Sequence, residues 1–459
     1  MRQASSPTDT IAAIATPSGT GGIAVIRISG TRAIPIAEAV FRKGGTQGQS
    51  LSEAASHTVH HGHIERDGVR IDEVLVTLLR APRTFTREET VEISCHGGRV
   101  VTRQVLEALL AAGARLAEPG EFTLRAFLNG RLDLTQAEAV ADLIHARTTL
   151  AAQAAVQQMG GRLSERLQGI RDDLLNLLAH VEAHIDFPEE DIAPDSRDRM
   201  LLRLDTAGSS IRRLRLTATE GRIVREGVRV AIVGRPNAGK SSLLNLLLGS
   251  DRAIVSAIPG TTRDTVEECA TVRGLPLVFV DTAGLRETQD PVEAEGIRRS
   301  LRAANEADLI LHVLDGTQPP GSALEELGEA LSQKPTIRIR NKADLPTVWD
   351  ASTLRESVAL SATTGAGLED LKAAMDARLG TQDLSADHWN LTVNARQSTA
   401  LEQAEASLTR TYDTLSRGDS LELVALDLRA TLGALGEITG HVTTDSLLDA
   451  IFSQFCLGK

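Results

Sequence analysis

The chain is 459 residues long, 42% hydrophobic and only 2% aromatic, and carries a net charge of −12. That length holds roughly two to four domains, and cores so poor in aromatics must be filled by Leu, Ala, Val and Ile, which favours helices and α/β sheets over β-sandwiches. The acid excess excludes a broad basic nucleic-acid face, so any contact with RNA must be local or shared with a partner; Cys95, Cys269 and Cys456 are too few and scattered for a disulfide framework or a CxxC metal site, and no stretch reads as a signal peptide or bilayer span, which predicts a soluble cytosolic protein with no membrane role.

Residues 1–125 read as an α+β domain. Apolar β-type runs at Thr10 to Ala15 and Gly22 to Ile28 flank the turn-rich loop Thr16-Pro17-Ser18-Gly19-Thr20-Gly21, and Ala33 to Phe41 has the look of a short helix. Strand-like runs return at His57 to Ile64, Glu73 to Leu79 and Glu89 to Ser94, followed by a helical stretch from Val100 to Ala112. Gly19 to Gly22 lacks the GxGxxG spacing and a following helix, so a phosphate loop is not expected there. From Leu134 the pattern becomes Ala/Leu-rich with a helical period, recurring through Leu163 to Ile185 and Met200 to Leu216, and interrupted by the acidic stretch Phe187 to Asp191. A third pattern, α/β again, occupies roughly Gly227 to Gly380, and Ala395 to Phe455 is helical. Helical segments on both sides suggest that they pack together, with the α/β domain inserted between them.

The inserted domain carries the chemistry. The apolar run Val228 to Val233 leads into Gly234-Arg235-Pro236-Asn237-Ala238-Gly239-Lys240-Ser241, and Ser242 opens a helix. Strand, glycine-rich loop and helix form the context of a phosphate-binding loop, in which backbone N–H groups and the helix N-terminus face a phosphate, Lys240 reaches the β/γ oxygens and the Ser241 hydroxyl meets Mg²⁺. Asp281-Thr282-Ala283-Gly284 follows a strand-like run, suited to holding Mg²⁺ through water and offering a backbone N–H to the γ-phosphate. Gly260-Thr261-Thr262-Arg263-Asp264 lies in a loop from which a threonine hydroxyl can reach the same Mg²⁺. Asn341-Lys342-Ala343-Asp344 follows a further strand, and Asp344 is an acceptor-only carboxylate matched to the paired N–H groups of guanine, an edge adenine lacks. Ser361-Ala362-Thr363 fits the loop that closes on the base. In this order, each after an apolar strand, the set predicts GTP over ATP. Leu285 stands where Ras-like GTPases carry a water-orienting Gln, so hydrolysis is either very slow or served by another group or ion. Arg286, Glu287 and Glu293 lie just downstream, as candidates for that role or as exposed charges of a surface loop.

The chain as a whole resembles the MnmE (TrmE) family of tRNA-modification GTPases. The residues that carry the resemblance are Asp9-Thr10-Ile11-Ala12-Ala13, Arg27-Ile28-Ser29-Gly30, His96-Gly97-Gly98, Pro119-Gly120-Glu121-Phe122-Thr123, Arg125 to Gly130, Gln136-Ala137-Glu138-Ala139, the motifs above, and the ending Phe455-Cys456-Leu457-Gly458-Lys459. The resemblance implies an α/β and α multidomain protein: an N-terminal α+β dimerisation and folate-binding domain over 1–125, a helical domain in two parts over 126–222 and 381–459, and an inserted P-loop G domain with a Ras-like doubly wound sheet over 223–380. It implies a homodimer that, with a flavin-dependent MnmG-type partner in a heterotetramer, installs an aminomethyl or carboxymethylaminomethyl group at C5 of the wobble uridine of certain tRNAs. It further implies that hydrolysis depends on K⁺. Carried over by position, Asn237 ligates K⁺ and the segment Ser256-Ala257-Ile258-Pro259-Gly260-Thr261-Thr262 forms the nucleotide and ion loop. Within it Ser256, Ile258 and Thr261 complete the K⁺ shell, Ser241 and Thr262 match Mg²⁺ ligands, and Glu293 matches the carboxylate that positions water. For a 5-formyltetrahydrofolate-type one-carbon donor, Arg27, Glu92, Arg131 and Lys459 fall on contact positions. Arg131 stands where relatives can carry Lys, keeping charge but changing donor geometry. Cys456 is a candidate thiol or a packed terminal residue. The N-terminal domain and the chain ending set this protein apart from a ribosome-assembly GTPase, and no lipid-inserting segment supports a membrane-remodelling one.

Overall fold

A computed structural model describes residues 9–17, 19–44, 50–146, 148–186, 197–250, 268–273, 275–280, 302–319, 334–349, 357–379, 393–455 and 458. The strands are β1 (Ile11–Ile14), β2 (Ile23–Ser29), β3 (Phe41–Lys43), β4 (Thr58–Arg66), β5 (Val69–Leu79), β6 (Thr90–His96), β7 (Arg115–Leu116), β8 (Val228–Val233), β9 (Glu268–Val272), β10 (Leu275–Phe279), β11 (Leu309–Asp315), β12 (Thr336–Asn341) and β13 (Val358–Ala359). The helices are α1 (Ala33–Val40), α2 (Arg99–Ala111), α3 (Glu121–Leu128), α4 (Leu134–His145), α5 (Thr149–Met159), α6 (Arg162–Asp186), α7 (Arg197–Glu226), α8 (Lys240–Ser250), α9 (Leu368–Leu379), α10 (Ala395–Arg417), α11 (Leu421–Thr439) and α12 (Asp445–Phe452). The chain divides into two compact units, residues 1–141 with 433–459, and residues 142–432.

The first unit is built on a seven-stranded sheet of order β3-β4-β5-β6-β2-β1-β7. Its pairings are antiparallel apart from β1 with β7, so it is an α+β sheet and not a Rossmann unit. Side chains alternate between the faces of a strand. Ile26, Ile28, Ile64, Val76, Leu78, Val91 and Ile93 therefore fall on one face, packed with Ile36 of α1 and Val105 and Leu109 of α2. The intervening Arg27 and Glu92, paired in register, belong to the opposite face. There, Ile11, Ala13, Ala117 and Phe122 make a second small core that includes Phe85. Helix α3, for which the sequence pattern gave no sign, is fixed by charge as much as by its apolar side. Arg125 is 8% exposed and its guanidinium bonds Asp9, Glu88 (3.3 Å) and Glu121 (3.1 Å), while Arg115 bonds Asp9 at 2.7 Å and Glu121 at 2.5 Å. The loop Gly19 to Gly22 is part of the β1–β2 connection; Gly21 N donates to Gly97 O, and a strand follows, as its spacing requires.

In the second unit a six-stranded sheet runs β13-β12-β11-β8-β10-β9, parallel except for the β9–β10 edge pair. Strand β8 is nearly all apolar because both its faces are covered: Val228 and Val230 pack with Leu243 and Leu247 of α8, while Ala231 and Val233 pack with Ala304 and Ile310. Helices α7 and α10 pack along each other, with Glu405 of α10 bonded at 2.8 Å by both Arg212 and Arg215 of α7. Helix α7 reaches Glu226, ten residues past the last position its periodicity marks, and ties to the sheet there. Arg222 grips Asp308 through two hydrogen bonds of 2.9 and 3.2 Å, and Asp308 also accepts from Arg229 N. No helix among the described residues is long and apolar enough to cross a membrane.

Candidate functional site

The loop after β8 has the geometry its glycines predict. Gly239 sits at φ +99°, and a Cβ there would fall 2.0 Å from Nδ2 of Asn341, so only glycine admits this approach. Asn237 is exposed at φ +63°, a left-handed conformation that asparagine tolerates better than most residues, and it makes no hydrogen bond among the described residues. Lys240 opens α8 and turns its ammonium back over the loop, donating to Gly234 O and Arg235 O at 2.9 Å each. Burial holds that ammonium below its ordinary pKa. Ser241 and Ser242 follow in the first turn of α8.

Asn341 joins this loop to the two that follow β12 and β13. It is 3% exposed; its Nδ2 donates to Ala238 O at 2.8 Å, and its Oδ1 accepts from Ala362 N at 3.0 Å. The backbone of Ala343 adds a bond to Leu360 O. Lys342, at φ +61°, reaches Asp315 Oδ2 at 2.7 Å. Burial alone would raise the Asp315 carboxyl, but hydrogen bonds from Lys342 and Thr317 bring it below its ordinary value. Ser361 is fully buried within its own turn, whereas Asp344 and Thr363 are exposed beside it. Asn237, Ala238, Gly239, Lys240, Asn341, Lys342, Asp344, Ser361, Ala362 and Thr363 are thus gathered on loops at the C-terminal ends of parallel strands, the usual ligand position in such sheets. Sequence reasoning placed Asn341 near the base; its pinning of two neighbouring loops, and the partnership of Lys342 with Asp315, had no linear signal.

Ser256, Ala257, Ile258, Pro259, Gly260, Thr261, Thr262, Asp281, Thr282, Ala283, Gly284, Leu285, Arg286, Glu293, Cys456 and Lys459 lie outside the described residues.

A second grouping lies in the N-terminal unit. Arg27 Nε donates to Glu92 Oε1 at 2.9 Å, and its guanidinium stands 5.7 Å from the ring centre of Phe122 and 5.9 Å from that of Phe85. The guanidinium of Arg131 stands 5.7 Å from the same Phe85 ring. Arg27, bonded to Glu92, and Arg131 therefore both approach Phe85, a residue that sequence reasoning did not single out. Gly458, at φ +86°, lies against β1 so closely that a Cβ would fall 2.4 Å from Ile14 O. That strand pairs with the one bearing Arg27.

Comparison with known proteins matches the MnmE helical domain over residues 134–456 and the GTP-binding protein TrmE N-terminus over residues 10–131. The tRNA modification GTPase MnmE of Listeria innocua is 48% identical over 458 residues, 98% of this chain and 99% of that one. The chain belongs to the MnmE family of tRNA modification GTPases. Other members are similarly near: the Geobacillus thermodenitrificans protein is 46% identical over 98% of this chain and 99% of its own length, and the Geobacter sulfurreducens protein matches to the same extent. In this family member the loop after β8, the Asn341 loop and the Ser361 loop share one edge of the second unit's sheet.

Proposed function

We propose that this MnmE-family protein hydrolyses GTP to drive modification of C5 of the wobble uridine of certain tRNAs, acting in the cytoplasm as a homodimer with a flavin-dependent MnmG-type partner. The observation that carries the nucleotide half is the Asn341 junction, which brings the loop of Lys240 and the loops of Asp344 and Ser361 to one edge. Asp344 selects guanine through its two lone-pair-bearing oxygens, and Lys240 and the amides around Gly239 hold the phosphates. The donor set suits two ions: the Ser241 hydroxyl, with Thr262, is a hard oxygen ligand for Mg²⁺, and the unengaged carboxamide of Asn237, with Ser256, Ile258 and Thr261, is one for K⁺. Bound there, the ions would supply positive charge near the phosphoryl oxygens. By their place in the sequence, Asp281 to Gly284 would meet the γ-phosphate, Arg286 would add a charge there, and Glu293 would position the attacking water in place of the Gln that Leu285 replaces.

The one-carbon donor is a 5-formyltetrahydrofolate-type molecule held by Arg27, Glu92, Arg131 and Lys459. The residues suit it: a pterin offers adjacent N–H groups to a carboxylate such as Glu92, and planar guanidiniums such as Arg27 and Arg131 pair with a folate's carboxylates. The working division is 1–125 for folate and dimerisation, 126–222 with 381–459 for the helical domain, and 223–380 for the G domain.

The experiment is complementation of cells lacking the gene, read by mass spectrometry of tRNA nucleosides. Wild-type protein restores the modified wobble uridine; Asp344→Asn does not, and in vitro binds GTP more weakly by about 2 kcal/mol while gaining affinity for xanthosine triphosphate. Unmodified tRNA with the wild-type protein present, or unchanged GTP affinity in the variant, overturns the reading.

A further inference from the structure

Beside the Arg27–Phe85–Arg131 grouping, the first unit has an open groove of about 790 Å³. Its lining includes Arg83, Arg87, Arg131 and His57 around Phe85, and contains no carboxylate. Three guanidiniums in one groove oppose the sign of a chain whose net charge is −12. Arg83 is exposed and makes no ion pair or hydrogen bond among the described residues. Local charge of this kind, unspent on the protein's own carboxylates, attracts an anion.

The groove is built, not an accident of loose side chains. The segment 82–89 is latched to the end of α3 in both directions: Arg87 Nη1 donates to Asn129 O at 3.0 Å, and Asn129 Nδ2 donates to Thr86 O at 2.7 Å. Thr84 Oγ1 donates to Glu88 O at 2.8 Å, closing the loop on itself. Arg131 is held by its own backbone bond to Ala126 O at 2.8 Å. Its guanidinium over Phe85 marks where the groove meets the folate-facing residues.

We infer that this groove binds the poly-γ-glutamate chain of the folate, with Arg83, Arg87 and Arg131 pairing successive carboxylates; the inference rests on the folate reading above. A chain of carboxylates leaving the ring system past Arg131 meets an extended, cation-lined channel. A planar guanidinium takes a carboxylate in a bidentate pair, which a point charge does not. A tRNA strand is the less favoured occupant, because Phe85, the aromatic ring lining the groove and the one a base would stack on, already has the guanidiniums of Arg27 and Arg131 5.9 and 5.7 Å from its centre.

The test is calorimetric titration of the full-length protein with 5-formyltetrahydrofolate carrying one glutamate or five. The pentaglutamate should bind about tenfold or more tightly than the monoglutamate at low salt, with the gap narrowing as salt rises. Arg83→Ala should shrink the gap and Arg83→Glu abolish it, both with monoglutamate affinity and thermal midpoint at wild-type values; Arg83 is chosen because it makes no ion pair or hydrogen bond among the described residues. Equal affinity for the two ligands in the wild-type protein overturns the groove assignment and leaves the folate reading standing. Absence of binding by either ligand overturns both. A gap that survives Arg83→Glu while tRNA affinity falls gives the groove to RNA phosphates and overturns the inference.

Discussion

At the scale of single residues, Asn237 has two possible reasons for its identity, its backbone and its side-chain oxygen. Its φ of +63° is a conformation that asparagine and glycine occupy at little cost, so the backbone alone would justify asparagine. Its side chain, however, is exposed and bonded to nothing described, which leaves the carboxamide oxygen for an ion. Alanine is a poor probe here, because it would combine loss of the oxygen with left-handed strain of about 1 kcal/mol or more. Asn237→Gly removes the oxygen and keeps the turn. GTP turnover of the wild-type protein should be about tenfold or more faster in K⁺ than in Na⁺ at matched ionic strength, as for any added positive centre at a phosphoryl group. The glycine variant should turn over equally in both salts, with its Na⁺ rate near that of wild type. Equal wild-type rates in the two salts would take K⁺ out of the mechanism.

At the scale of elements, α3 shows how motif residues can be structural. Asp9, Glu121 and Arg125, all part of the resemblance, are consumed in the ion network that ties α3 to the start of β1, and Glu88 joins it from the loop before β6. Arg125 neutralises carboxylates from three separate segments while nearly out of solvent. Arg125→Met keeps much of the volume but leaves Asp9, Glu88 and Glu121 facing one another, with only Arg115 to share. Removing one partner of a buried ionic cluster costs about 3–5 kcal/mol. Denaturant unfolding of the first unit's signal should shift by that amount. A shift under about 1 kcal/mol would mean that the carboxylates find water or protons instead.

At the scale of the molecule, the two units carry different acid sensitivities. His312, on β11 of the second unit, is 4% exposed with no partner for its Nδ1 among the described residues, and burial, aided by the charge of Arg338 on the next strand, pushes its pKa down to about 4. Between that value and the ordinary 6.5, the unfolded chain binds a proton that the folded one refuses. Stability therefore falls as pH drops through this window, by up to about 3 kcal/mol, and is flat below it. In the first unit the sign is the same but the window is lower. Burial would raise the Asp9 and Glu121 carboxyls, yet the bonds from Arg115 and Arg125 leave both below their ordinary values. Their contribution is intact above the ordinary carboxylate pKa and is lost only as pH falls through the folded values. Trp349 and Trp389 both fall in the sequence span of the second unit, so tryptophan fluorescence reports that unit alone. Its urea midpoint should decline from pH 6.5 to 4, and His312→Leu should flatten the decline. A midpoint independent of pH across that range would show that His312 charges without penalty in the folded state.

The sequence by itself determined the order of the elements and the nucleotide. Periods of two and of 3.6 mark β2, α1, α2 and α8 because each buries one regular face, β8 is marked by an unbroken apolar run because both its faces are covered, and the phosphate loop is legible because its glycines, lysine and serine act within eight consecutive residues. The proposed folate positions became legible only through the family resemblance, since Arg27, Glu92 and Arg131 are distant in sequence and share no local pattern. Only the tertiary structure decided what joins distant segments. It took Asn341 from a base-binding motif to the pin between three loops, showed α3 to be seated by an ion cluster, and gathered Arg83, Arg87 and Arg131 along one groove. These are long-range pairings of polar groups, which follow from how strands are laid side by side and leave no periodic trace in the chain.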